Sequence, residues 1–102
     1  MNEKDALGAF AALSNESRLR VVKALVEAGP EGMSAGEIAT QLGATPSRAS
    51  FHLATLTDAG LVSSQKESRS VRYSVRFDAM GGLVRYLLED CCGGNATVRA
   101  CC

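Results

Sequence analysis

The stretch from Thr45 to Leu61, TPSRASFHLATLTDAGL, carries its own start, its own stop and a single packing face. Thr45 suits a helix N-cap and Pro46 the first helical position. Gly60 suits the left-handed residue just past the end. Between them Ala49, Leu53, Leu56 and Gly60 fall at helical spacing, so that stripe is predicted to face a core. The remaining face is not needed for the helix's own stability. It places Ser47, Arg48, Ser50, Phe51 and His52 together in the N-terminal half. Short hydroxyls, an arginine and a histidine at the front of a helix suit entry into a DNA groove.

The segments before this helix read as a helical scaffold. Ala6, Leu7, Phe10 and Leu13 predict a first helix with these residues as its apolar face. Ser14, Asn15, Glu16 and Ser17 break the pattern and supply caps. A second helix is predicted with Leu19, Val22, Leu25 and Val26 on one face, ending at Gly29-Pro30-Glu31-Gly32. Ser34-Ala-Gly-Glu37 is a capping box. It opens a short third helix with Ile38, Ala39 and Leu42 inward. Gly43-Ala44 then turns the chain into the Thr45 helix. Two helices joined by a Gly-containing turn, the second with a polar front, make a helix-turn-helix.

After Gly60 the apolar period changes from helical to alternating. Leu61–Lys66 and Val71–Arg76 flank Glu67-Ser68-Arg69-Ser70, which predicts a β-hairpin. Val71, Tyr73 and Val75 take one face and Arg72, Ser74 and Arg76 the other. Lys66, Arg69 and Arg72 make this hairpin a basic wing. Asp78 is the predicted cap of a last helix, and Met80, Leu83, Val84, Leu87 and Leu88 make that helix apolar on more than one side. Glu89 and Asp90 are predicted to close it. The first and last helices are therefore expected to pair across a two-fold axis in a homodimer. The fold class is mainly α with one β-hairpin, a winged helix-turn-helix in which four helices precede the hairpin and one follows. Residues 1–90 form the expected DNA-binding and dimerisation domain, and residues 91–102 a cysteine-rich sensor tail.

The net charge is zero over 102 residues, which by itself does not favour a nucleic-acid partner. The distribution does. Residues 46–76 carry Arg48, Lys66, Arg69, Arg72, Arg76 and His52 against only Asp58 and Glu67. A local basic stripe is enough to steer phosphate binding. No apolar run reaches membrane-spanning length, and the polar, acid-bearing N-terminus is not a signal peptide, so a cytoplasmic location and no membrane partner are expected.

All four cysteines fall in the last twelve residues as two adjacent pairs, Cys91–Cys92 and Cys101–Cys102. A disulfide framework would spread them through the chain. Clustered on a Gly-rich tail, they read as a soft-metal or redox site, for thiolates are soft donors. A trivalent arsenic or antimony centre takes three of them. Cys91 and Cys92 supply two, and a reversal at Gly93, Gly94 and Asn95 would bring back Cys101 or Cys102 as the third. A methylated arsenical needs only two. Four thiolates could also take zinc, cadmium or lead, but adjacent cysteines strain a tetrahedral chelate. Glu89 and Asp90 are expected to raise the pKa of the neighbouring Cys91 and Cys92 thiols.

The order of elements, together with Leu13-Ser-Asn-Glu-Ser-Arg-Leu-Arg20, Ser50-Phe-His-Leu53, Leu56, Asp58-Ala-Gly-Leu-Val62 and the Arg69–Tyr73 wing, resembles the ArsR/SmtB family of metal-responsive repressors. The likeness runs from about residue 4 to residue 90. It implies a homodimer on a palindromic operator whose affinity falls when an inducer binds. Cysteines at the start of the third helix, one arsenic-sensing pattern of the family, are absent near Ser34 and Gly36. The family's zinc site on the terminal helix lacks its histidines, since His52 is the single histidine. The tail resembles members that sense arsenite through C-terminal cysteines, so the expected ligands are As(III) or Sb(III), with no organic cofactor. A thiol-redox repressor and another soft-metal repressor stay open, and so does a metal carrier that does not bind DNA. With no Cys-x-x-Cys and no Gly-rich phosphate loop, no enzyme activity is expected.

Overall fold

The computed structural model describes residues 1–100, so Cys101 and Cys102 lie outside the described residues. The elements run α1 (Glu3–Leu13), α2 (Glu16–Ala28), β1 (Met33–Ser34), α3 (Ala35–Leu42), α4 (Pro46–Asp58), β2 (Val62–Glu67), β3 (Ser70–Val75), α5 (Phe77–Arg85) and α6 (Ala96–Ala100). A 3-10 turn at Gly29–Glu31 follows α2, and a π-helical turn at Tyr86–Cys91 extends α5. No helix among the described residues is long and apolar enough to cross a membrane.

The helices begin where polar side chains can take up their orphan amides. Asn2 Oδ1 accepts from the Asp5 amide at 2.7 Å, Asn15 Oδ1 from Arg18 at 3.0 Å and Thr45 Oγ1 from Arg48 at 3.2 Å. At α3 the capping box closes in both directions: Ser34 Oγ accepts from the Glu37 amide at 3.1 Å and Glu37 Oε1 from the Ser34 amide at 3.0 Å. Gly43 ends α3 in the left-handed region at φ 65°, and two residues later α4 begins. That short turn forces the two helices to cross at once.

The core is Ala, Val, Leu and Ile, with no buried polar residue among its members. Leu53 and Leu56 of α4 lie against Leu25 and Val21 of α2, Ile38 of α3, and Leu61 and Val62 at the foot of the wing, all fully buried. As predicted, the α4 stripe Ala49–Leu53–Leu56 is the buried face.

Two predicted faces are corrected. In α1 the buried residues are Ala6, Ala9 and Ala12, while Leu7 is 61% exposed and Phe10 is also exposed. Three alanines let α1 approach α2 and α4 closely; Ala6 and the half-buried Leu13 face the core as predicted, while Leu7 and Phe10 turn outward. In α2 the buried set is Val21, Val22, Ala24 and Leu25, with Leu19 and Val26 exposed. This helix is flanked by α1, α3, α4 and β3, so its inward arc is centred on Val21–Val22 and Leu25 rather than on the Leu19–Val26 line.

The sheet has a strand the alternation did not reveal. β1, only two residues long, pairs antiparallel with β3, giving the order β1-β3-β2. Two residues are too few to show a period. The predicted hairpin is present, with Lys66 opposite Val71 and Glu67 opposite Ser70. Its turn is reduced to Ser68-Arg69, and Ser68 takes φ 52°.

The last helix also departs from expectation. Asp78 does not cap it. The Arg76 amide still bonds to the Leu61 carbonyl as the strand ends, and the Arg76 carbonyl already accepts from Met80, so Arg76 alone separates strand from helix and occupies the N-cap position. Asp78, inside the first turn, pairs with Arg76 at 3.0 Å, which holds its carboxyl below the usual range. At the other end Glu89 and Asp90 do not close the helix, which continues through the π turn to Cys91. Along α5, Phe77 and Val84 are exposed, seven residues apart on one face.

Gly32 shows how tightly the sheet is anchored. It is buried at φ 68°, and a Cβ there would overlap the Tyr73 carbonyl. Gly32→Ala should therefore destabilise the fold by about 3 kcal/mol, read as a lowered urea midpoint with unchanged slope.

Candidate nucleic-acid interface and cysteine tail

With its back buried, α4 presents Thr45, Ser47, Arg48, Ser50 and Phe51 to solvent, and Phe51 is 65% exposed. No acid lies among them. The Arg48 guanidinium has no carboxylate partner among the described residues. His52 lies farther back. It is half-buried between α4 and the start of α2, its ring edge-on to Phe51 at 5.8 Å. Burial lowers its pKa, and the charges of Arg18 and Arg48 lower it further. The imidazole is therefore neutral at neutral pH, and its Nδ1 is buried with no protein partner among the described residues.

A cleft of about 430 Å3 opens in front of this histidine, lined by Asn15, Ser17, Ser47, Arg48, Phe51 and His52. Asn15 and Ser17 were not among the predicted site residues. Their signal, the Ser14–Ser17 cluster, reads only as helix punctuation in the sequence.

On the wing, Lys66 and Arg69 are exposed and sit at and beside the tip. Arg72 does not join them. It lies in the central strand, and its guanidinium is engaged: Nε donates to the Glu31 carbonyl at 3.0 Å, Nη2 to the Gly32 carbonyl at 2.8 Å, and Nη1 meets Glu37 Oε1 at 3.4 Å. The missed strand β1 explains the difference, because it places Arg72 beside Ser34 instead of at an open edge. Hydrogen bonds from Ser34, and then the Arg72 charge, hold the Glu37 carboxyl below its usual pKa.

At the far end, Cys91 is exposed and Cys92 half-buried, both as free thiols. Burial raises the Cys92 pKa, and the adjacent Cys91 thiol adds to the rise. The predicted cause at Cys92, the acids Glu89 and Asp90, is replaced by these two, and Glu89 faces Arg99 at 3.8 Å instead. The chain does reverse after Cys92. Gly93 and Gly94 take φ 61° and 72°, the Gly94 amide donates to Leu88 O, and Asn95 Oδ1 accepts from the Thr97 and Val98 amides to start α6. Among the described residues no group of three or more His, Cys, Asp and Glu side chains could hold a metal ion. The expected third ligand, Cys101 or Cys102, lies outside the described residues.

The neutral His52 makes stability depend on pH. Its folded pKa is depressed, so the unfolded chain takes up a proton first, near the ordinary value of about 6.5. The contribution is present above that value and is lost as pH falls through it. Between about pH 7.5 and about pH 5.5 the wild-type melting temperature should fall more than that of His52→Gln. Equal falls would show that the imidazole is not held neutral.

A family described as a helix-turn-helix domain matches residues 13–65, from the end of α1 through most of β2. The uncharacterized HTH-type transcriptional regulator YceK of Bacillus subtilis is 41% identical over 80 residues, covering 78% of this chain and 79% of its own. A probable mercury resistance operon repressor of Streptomyces lividans is 33% identical over 94 residues, covering 91% of this chain and 71% of its own. Among solved structures, an ArsR-like transcriptional regulator from Rhodococcus sp. RHA1 superposes with a TM-score of 0.78 at 28% identity, over 96% of this chain and 90% of that one. These relatives are transcriptional regulators, a class that is not enzymatic. A capped helix with an acid-free front, a wing beside it and this set of relatives lead to one conclusion: the chain belongs to the ArsR family of winged helix-turn-helix, DNA-binding transcriptional regulators.

Proposed function

We propose that this regulator is a repressor that binds its operator as a homodimer and leaves it when trivalent arsenic or antimony binds the C-terminal thiols. The observation that carries the inducer is the Cys91–Cys92 pair at the end of the π turn that extends α5, on a chain that turns back immediately afterwards. Two neighbouring thiols and a returning segment match a thiophilic centre that takes three sulfur ligands, with Cys101 or Cys102 as the third. For a methylated arsenical, two suffice. The name of the Streptomyces relative, a probable mercury resistance operon repressor, points to soft-metal chemistry of the same kind.

The raised Cys92 pKa bears on the choice of ligand. A divalent cation such as cadmium, zinc or lead must displace protons from thiols, and a high thiol pKa opposes that. Arsenous acid carries its own hydroxides. As(OH)3 and three thiols give three As–S bonds and three waters, with no net proton released.

DNA binding is assigned to Thr45, Ser47, Arg48, Ser50 and Phe51 of α4, with His52 behind them and Lys66 and Arg69 on the wing. Arg48, free of any acid, is placed on a guanine edge. Arg72 is given a different role, holding the wing against α3. Pairing through α1 and α5 would cover Leu7, Phe10, Phe77 and Val84 and set the two reading helices about one DNA turn apart. Inducer release by a factor of about one hundred needs roughly 2.7 kcal/mol of coupling, within the ordinary range for allostery.

Operator binding is tested by fluorescence anisotropy on the protein's upstream promoter DNA, reduced, with and without arsenite. Arsenite should abolish binding by wild type and leave binding by Cys91→Ser/Cys92→Ser intact. Release of the double variant by arsenite would refute the tail site, and release by oxidation alone would make the protein a redox regulator. Arg48→Ala should cost about 1–3 kcal/mol and relax preference at one base position. An unchanged footprint would remove Arg48 from the reading set.

A further inference from the structure

We infer that the cleft between the start of α2 and the front of α4 is a seat for a phosphate of the DNA backbone, with Ser17 as its principal new contact. The inference rests on the DNA-binding reading and extends it to an element, α2, that lies outside the helix-turn-helix pair and the wing.

Five of the six residues that line the cleft are polar, Phe51 being the sixth. Ser17 and Ser47 bring hydroxyls, and Arg48, whose guanidinium is assigned to a base edge, adds positive charge beside them. Asn15 uses Oδ1 to cap the Arg18 amide, so its Nδ2 donors remain available. No carboxylate lines the space. The neighbouring acid, Glu16, is turned to Arg20 at 2.6 Å. A smaller cavity of about 80 Å3, lined by Ser17, Arg20, Leu42, Ala44, Arg48, Ala49 and His52, shares Ser17, Arg48 and His52 with the cleft. The buried His52 Nδ1 has no protein partner among the described residues. A cleft rich in donors and lined by no acid is complementary to an anion. Its position selects which anion. If the front half of α4 lies in the major groove, the start of α2 lies at the groove's edge, where the sugar-phosphate chain passes. Such a contact fixes orientation and carries no base information.

Ser17 allows a test in which folding and binding move in opposite directions. Ser17 is exposed in the first turn of α2, where an acidic side chain is favourable to the helix. Ser17→Glu should therefore leave the melting temperature unchanged or raised. It should also lower affinity for operator and for unrelated duplex alike, by roughly tenfold or more, because a carboxylate would meet the phosphate. Replacing phosphates one at a time by neutral methylphosphonate in the operator should locate one position per half-site where the Ser17→Glu penalty largely disappears. A penalty below about threefold, or one that no single methylphosphonate relieves, overturns the phosphate seat while tight wild-type binding keeps the DNA reading. Wild type that binds no duplex overturns the DNA reading itself, and this inference with it.

Discussion

Leu53 and Leu56 of α4, locked against Ile38, Val21 and Leu25, set the geometry of everything else in the molecule. A helix can hold a polar front toward a partner only if its back leaves it no freedom to roll. Each buried leucine contributes on the order of 1.5–3 kcal/mol of transfer free energy, and both are fully buried in a small core. The Gly43 turn is too short to let α3 and α4 separate, so the same contacts also fix the angle of the reading helix to the rest of the domain. Apart from the Thr45 hydroxyl, which caps the helix, the chemistry of the front, with Ser47, Arg48, Ser50 and Phe51, is thereby free of structural duties.

The wing is held by a different device. Arg72 reaches from the central strand to two backbone carbonyls of the Gly29–Gly32 turn and to the carboxylate that completes the α3 capping box. A single side chain thus joins the strand, the turn and the first helix of the helix-turn-helix pair. The close approach of Gly32 to the Tyr73 carbonyl lies on the same seam. These bonds hold the foot of the wing to the turn and to α3, the helix that packs directly on α4. An arginine chosen by charge alone as a phosphate contact is here a brace, while the two basic residues nearer the tip stay free.

How far the sequence reveals this depends on the range of the interaction concerned. Local signals suffice for the caps at Asn15, Ser34 and Thr45, for the turn at Gly43, for the left-handed Gly60, for the α4 stripe and for the hairpin, because each is decided within a few residues. The β1–β3 pairing joins residues about forty apart and leaves no period in a two-residue strand, so the bonds that Arg72 makes to the turn and to α3 are not legible in the sequence. The faces of α1 and α2 are legible in part, at Ala6, Leu13, Val22 and Leu25, but not at Leu7, Phe10, Leu19 and Val26, because hydrophobicity says that a side chain leaves water, not which body it enters. Alanine offers little apolar surface, yet it is what a close helix crossing requires. At the site, the reading set on α4 was legible from its excess of polar residues over what a helix needs. The part contributed by α2 was not, since Asn15 and Ser17 serve as cap and first turn in any helix.

The alanine stripe of α1 has a consequence of its own. Three methyl groups facing inward are worth roughly 0.8 kcal/mol each, and covering what remains exposed of Leu7 (61%) and Phe10 (36%) would add roughly 1.5–3 kcal/mol in all. A second body would therefore add to the first helix about as much as its alanines do. In an assembly that covers Leu7 and Phe10, its order becomes a matter of mass action: firm when protomers are abundant, frayed when they are scarce. The cellular amount of the protein would then set the state of its N-terminal helix, making concentration itself an input to the regulator.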